Sequence, residues 1–407
     1  MRRGLGRILA YWRAERRTIA QGLVAMLLAS AAGLVAGTAL GSISGTLRRL
    51  PGLMLLLPAA IAMRGNIFGA MASRLGTGIH TGLFVPSRER QGVLYQNVFA
   101  AAVLTLSISW LVAVLAKLVS VLFGDPSMSI LDFMVVSVVG GVLASIAVGI
   151  LAVALSIAAY RRGWDLDSVA APLITASGDV LTIPALFLAT FLVAVPWVTP
   201  TIAGLVTILT VASLVATIRS DLGIARRVVR ESLPILALAG IVDLMAGGFV
   251  ESRLEEFLAF PVLLTLIPPI LGNAGGLGGI LSSRLSSKLH LGAMSPRGRP
   301  EAVAVLDFSI VFLFALFAFP LVGAVAHLVG VSIGLGSPGI LRVVGVSTMA
   351  GLLATSVAAV VAYYTAMATY RLGLDPDNHG IPTITSSMDL TGVVALVIAL
   401  LAFGVGS

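Results

Sequence analysis

From residue 19 to the end, the chain alternates long apolar runs with short polar stretches. A membrane-spanning helix needs about 20 apolar residues, each adding about 1.5 Å. On that measure the pattern predicts eleven transmembrane helices, at about 19–42, 51–75, 92–122, 129–159, 170–195, 200–218, 231–250, 260–286, 301–330, 339–369 and 380–405. Several runs exceed the minimum, which implies tilt or extension beyond the bilayer. The segment before the first run, 1–18, is basic and amphipathic. The run after it is long enough to span and has no evident cleavage site, so it is read as a retained cytoplasmic segment and not a signal peptide.

Composition agrees with this pattern. Of 407 residues, 58% are hydrophobic and 11% charged, with a mean hydropathy of +1.06. A soluble fold could not hide so much apolar surface, and lipid is its natural solvent. The absence of cysteine excludes disulfides and thiolate metal sites. A net charge of +8 raises the question of nucleic acid, but the basic residues lie in short loops between apolar runs, where they set membrane orientation. Arg2, Arg3, Arg7, Arg13, Arg16 and Arg17 precede the first run. Arg88, Arg90, Arg161, Arg162, Arg219, Arg226, Arg227, Arg230, Arg297, Arg299 and Arg371 collect on the same side. The other side has Arg48, Arg49 and Arg253 beside Glu251, Glu255 and Glu256. The expectation is a multi-pass plasma-membrane protein with its N-terminus in the cytoplasm and its C-terminus outside.

Sliding the chain along itself by 210 residues uncovers a duplication. Pro58 meets Pro268, Arg74-Leu75 meets Arg284-Leu285, and His80 meets His290. Further on, Tyr160-Arg161 meets Tyr370-Arg371, and Asp165 and Asp167 meet Asp375 and Asp377. Pro172, Thr175, Ser177 and Asp179 meet Pro382, Thr385, Ser387 and Asp389. The register holds without a gap. Residues 19–195 form a first five-helix repeat and 231–407 a second, joined by a segment at 196–230 that carries one further span. Five helices alone would invert the second copy, and the sixth restores its orientation. The expected fold is therefore an all-α membrane protein of two parallel repeats about a pseudo-two-fold axis along the membrane normal.

Intramembrane polar groups mark candidate chemistry, because an aspartate at mid-span costs roughly 2.5–3.5 kcal/mol on insertion scales. Asp179 and Asp389 lie about ten residues into the fifth span of each copy. Each follows a Thr-x-Ser-x pattern, Thr175 and Ser177 or Thr385 and Ser387. Paired carboxylates with hydroxyls and carbonyls make an all-oxygen site that suits a hard cation such as Mg²⁺, which keeps its waters. The competing reading, a carboxylate serving packing alone, weakens when two occupy symmetric positions. The second spans are rich in glycine and contain Gly65 and Asn66, then Asn273, Gly275 and Gly276, as pore-lining candidates. No phosphate-loop pattern follows these glycines. Asp243, Asp307 and Arg64 break the symmetry, facing Gly33, Asn97 and Ala274 in the other copy. Asp243 and Asp307 are candidates for a coupling ion. His80 and His290 close the second spans as interfacial residues. The chain has no paired histidine-glutamate motif, no Ser-His arrangement in one span and no basic phosphate pocket, so no enzymatic activity is expected.

These residues resemble the MgtE family of magnesium channels and transporters, and in particular its single-chain, tandem-repeat solute-carrier branch. The resemblance rests on Arg64-Gly65-Asn66 with Ala72-Ser73-Arg74-Leu75, on Ser283-Arg284-Leu285-Ser286, on the two Pro…Thr-x-Ser-x-Asp stretches, and on Asp375-Pro376-Asp377-Asn378. It implies Mg²⁺ as the transported ion, held hydrated by Asp179 and Asp389, with backbone near Thr175 and Thr385 as secondary ligands. Repeat two departs from the family pattern, with Gly276 where the second-span asparagine is expected and Asn273 three residues earlier. The cytoplasmic regulatory domains of homodimeric members are not expected, and a monomer with an internal pseudo-dimer is. The alternative function is a Na⁺- or H⁺-coupled exchanger that exports Mg²⁺ or another divalent cation.

Overall fold

The computed structural model describes residues 2–87, 89–124, 126–162, 166–373 and 380–405. Asp165, Asp375, Pro376, Asp377 and Asn378 fall outside them, as do the side chains of His80, Asp167, Pro172 and Pro382. Among the described residues every regular element is helical. An N-terminal helix α1 (Arg2–Ala14) precedes α2 (Arg16–Ser42), α3 (Leu53–His80), α4 (Val93–Phe123), α5 (Ile130–Arg162), α6 (Leu166–Thr190) and α7 (Val198–Arg219). Next come α8 (Gly223–Glu251), α9 (Ile267–His290), α10 (Ala302–Ser332), α11 (Ile340–Leu372) and α12 (Ile381–Ala402). From α2 to α12, eleven described helices are long and apolar enough to cross a membrane. In lipid each must satisfy its own backbone, and the helices continue through interior prolines at Pro58, Pro234 and Pro320. The largest boundary difference is α8, which begins at Gly223 where the apolar run suggests 231. Arginine is a good helix former, so the basic loop residues Arg226, Arg227 and Arg230 simply extend the helix past the apolar stretch.

The chain forms two compact units, and they do not follow the repeat boundaries. A central unit spans Ile43–Leu254 and contains α3 to α8. A flanking unit joins Met1–Ser42 to Glu255–Ser407 and contains α1, α2 and α9 to α12. Each unit therefore combines helices two to five of one copy with helix one of the other. A matched pair of glycines explains the exchange. In the flanking unit, Gly37 of α2 lies so close to the carbonyl of Thr265 that no Cβ fits. In the central unit, Gly247 of α8 lies equally close to the carbonyl of Leu55. These are the same contact 210 residues apart, and small residues are what allow such backbone approach in lipid.

Other contacts recur within each unit. Ser137 donates to the Ser109 carbonyl at 2.7 Å in the central unit, and Ser347 donates to the Phe319 carbonyl at 2.7 Å in the flanking unit. Lys117 donates to Ser127 at 2.9 Å, and His327 Nδ1 sits 2.8 Å from Ser337 Oγ. The duplication thus extends to individual hydrogen bonds. The central unit also holds the linking helix α7, tied to α4 by Trp110 Nε1 donating to Thr207 at 3.0 Å.

Candidate functional site

In the central unit α3 packs against α6, and in the flanking unit α9 packs against α12. Both crossings use one glycine and one threonine. A Cβ on Gly65 would sit 3.4 Å from Thr175 Cγ2, and one on Gly275 would sit 3.7 Å from Thr385 Cγ2. The fifth helix of each copy is thereby fixed in the same register against the second.

That register orders the expected ligands. Thr175 and Asp179 are one turn apart and share a helix face, as do Thr385 and Asp389. Ser177 and Ser387 are two residues from each aspartate, about 200° around the helix. Their hydroxyls turn inward to their own backbone, donating to Leu173 at 2.7 Å and to Thr383 at 2.6 Å. The structure thus pairs the threonines with the aspartates and leaves the serines on another face. Asp179 and Asp389 are both half-buried. Among the described residues no hydrogen bond or ion pair reaches the Asp179 carboxylate.

The second helices differ between copies. Asn66 is half-buried, and its amide nitrogen has no partner among the described residues. Gly276, its counterpart, is exposed with open space beside it. Asn273, a pore-lining candidate by sequence, has a partner in the structure. It is buried within the flanking unit, where its amide donates to Ser30 at 2.8 Å and Ser30 donates back at 3.3 Å. A buried amide needs such a partner. Ser30 belongs to α2, 243 residues away, and nothing in the linear pattern announces the pairing.

Asp307, a coupling-ion candidate by sequence, lies in a polar network. It is fully buried, with Tyr11 donating at 2.7 Å, Arg284 Nε at 3.0 Å and Lys288 at 2.6 Å. Arg284 also reaches Glu15 at 3.3 Å, and Trp12 donates to Ser309 at 3.0 Å. Two cations and a phenol surround the carboxylate, which ties α1 to α10. Burial, then the bond to Asp307, raises the Tyr11 phenol above its ordinary value, so it remains a neutral donor. In the central unit the matching pair is Arg74 Nε donating to Asn97 at 2.9 Å. Asp243, the other coupling candidate, is fully buried in α8, on the face that carries Gly247 against Leu55 of α3 and Gly240 against Val112 of α4 and Met63 of α3. His290 has its Nδ1 2.8 Å from the Ser286 carbonyl and its ring against Tyr370.

Sequence reading singled out Arg64 but not its setting. It is 1% exposed, and its Nη2 donates to Ser109 at 3.2 Å beside Gly141. Its Nε and Nη1 have no partner among the described residues.

Each unit therefore presents a threonine-aspartate stripe on a helix fixed by a glycine crossing. Among the described residues no three His, Cys, Asp or Glu side chains gather.

The model of the MgtE family, described as divalent cation transporters, matches residues 57–189 and 267–399. The chain belongs to the MgtE family. The two matched segments are themselves 210 residues apart, in the register of the internal repeat, and each covers helices two to five. Among curated relatives, the chain is 26% identical to solute carrier family 41 member 3 of Rattus norvegicus over 414 residues, 94% of this chain and 87% of that protein. It is 28% identical to the Mus musculus member 3 over 372 residues, 84% of this chain and 74% of that one. Solute carrier family 41 member 2 of Xenopus laevis is 25% identical over 417 residues, 93% of this chain and 70% of that protein. No solved structure matches. The chain is thus a multi-pass MgtE-family membrane protein of the tandem-repeat solute-carrier type, and its family transports divalent cations.

Proposed function

We propose that this MgtE-family chain carries Mg²⁺ across the plasma membrane along a path between its two repeats, as a monomer with its N-terminus in the cytoplasm. The hydrated ion is held by the carboxylates of Asp179 and Asp389, with Thr175 and Thr385 as weaker oxygen partners. Asn66 is a further outer contact, made to the ion's waters. The carrying observation is the duplicated stripe, in which each aspartate shares a helix face with a threonine that packs on a second-helix glycine. One chain supplies both acids, so no second copy is needed. An inside-negative potential favours entry by about 2.3 kcal/mol per charge per 100 mV.

Mg²⁺ uptake into liposomes tests the proposal. Asp179→Asn and Asp389→Asn each lower uptake at least tenfold, and the double variant abolishes it while eluting as a folded protein. Unchanged uptake in the double variant rejects the site. Uptake that vanishes without a Na⁺ or H⁺ gradient rejects a passive path and favours the coupled exchanger.

A further inference from the structure

The surface of the flanking unit contains an apolar groove that the cation site does not use. It encloses about 610 Å³ between α2, α10 and α11, and its lining includes Leu23, Met26, Leu27, Phe317, Pro320 and Leu321. Every lining residue is apolar. An apolar cavity of about 150 Å³ accepts benzene, so a volume roughly four times larger accepts a stretch of acyl chain. The groove opens sideways, with Leu27 47% and Phe317 62% exposed.

A second feature lies where α2 begins. Arg16 opens α2, and Leu23 and Leu27 follow it at seven and eleven residues. At 100° per residue each of those leucines falls within about 20° of Arg16, one on either side, on one stripe of the helix. The Arg16 backbone lies about 10 Å above Leu23 along that stripe, the spacing between a lipid headgroup and the upper part of its chains. Arg13, Arg16 and Arg17 are all exposed. Among the described residues none of the three forms an ion pair, and the nearby Glu15 is taken by Arg284. The Tyr11–Asp307 and Trp12–Ser309 bonds hold α1, and hence this basic corner, against α10.

From this pairing of an apolar groove with cations at its polar end, we infer that the flanking unit holds an anionic phospholipid, its phosphate on Arg16 and Arg17 and an acyl chain along Leu23, Leu27 and Phe317. A zwitterionic lipid fits the groove equally well but cancels its own charge at the arginines. The site needs no cation transport, and its test is independent of the Mg²⁺ reading.

Native mass spectrometry of the detergent-purified chain provides that test, using phosphatidylglycerol and phosphatidylcholine of matched long chains and dihexanoyl phosphatidylglycerol. The expected result is one phosphatidylglycerol retained in preference to phosphatidylcholine, with the short-chain form lost. Affinity falls about fivefold for each arginine neutralised in Arg16→Gln and Arg17→Gln. Leu27→Trp fills the groove from an exposed position, so the fold survives while long-chain retention drops. Equal retention of the two headgroups overturns the inference, as does full retention by Leu27→Trp or by the double arginine variant.

Discussion

Arg64 and Ser109 fill, beside Gly141, the place that the Phe319 ring occupies beside Gly351 in the other copy, where Ala274 replaces Arg64. The repeats have exchanged volume between neighbouring helices and kept the backbone contact, since Ser137 and Ser347 still reach the carbonyls of residues 109 and 319. Arg64→Ala is therefore expected to open a cavity and to destabilise the chain by about 2–4 kcal/mol. Adding Ser109→Phe should recover much of that loss, because it recreates the packing of the flanking unit. Thermal unfolding in detergent checks this, and a double variant no more stable than the single one would refute the exchange. At this scale the sequence reading was uneven. Asp179 and Asp389 stand out as carboxylates within apolar runs. Ser177 and Ser387 are adjacent to them in the motif, and spacing along the chain does not display the turn of about 200° between serine and aspartate.

At the scale of helices, span lengths were legible because the bilayer imposes them, and all eleven expected spans have counterparts. Which helix packs on which was not. Apolar faces are alike in lipid, and the glycines that choose the partner, Gly37 and Gly247, differ from other glycines only in what they meet. The chain has no cysteine, so paired substitutions report neighbours directly. Ser30→Cys with Asn273→Cys should cross-link under mild oxidation, as should Met63→Cys with Gly240→Cys. Cross-linking of Ser30→Cys with Met63→Cys in preference would mean that each first helix packs in its own repeat. The anchoring of α1 is a separate expectation. Asp307→Asn leaves Arg284 and Lys288 without their buried counter-charge, so residues 2–14 should become susceptible to protease while the transmembrane helices stay protected. Unchanged protection of α1 would show that the network is not what holds it.

For the whole molecule, duplication does the explaining. One 210-residue register aligns the sequence halves, the two family matches, the glycine crossings and the threonine-aspartate stripes. Family membership was readable from those stripes and from the second-span motifs, but the division into compact units was not, because it depends on contacts between residues more than 200 positions apart. The central claim is that the two stripes serve one hydrated ion. Anomalous scattering from crystals soaked in Mn²⁺, which stands in for Mg²⁺, tests it most directly. The account predicts a single strong peak within water-bridged reach of both Asp179 and Asp389, lost in the double asparagine variant. A peak beside only one of them, or none near either, would contradict it.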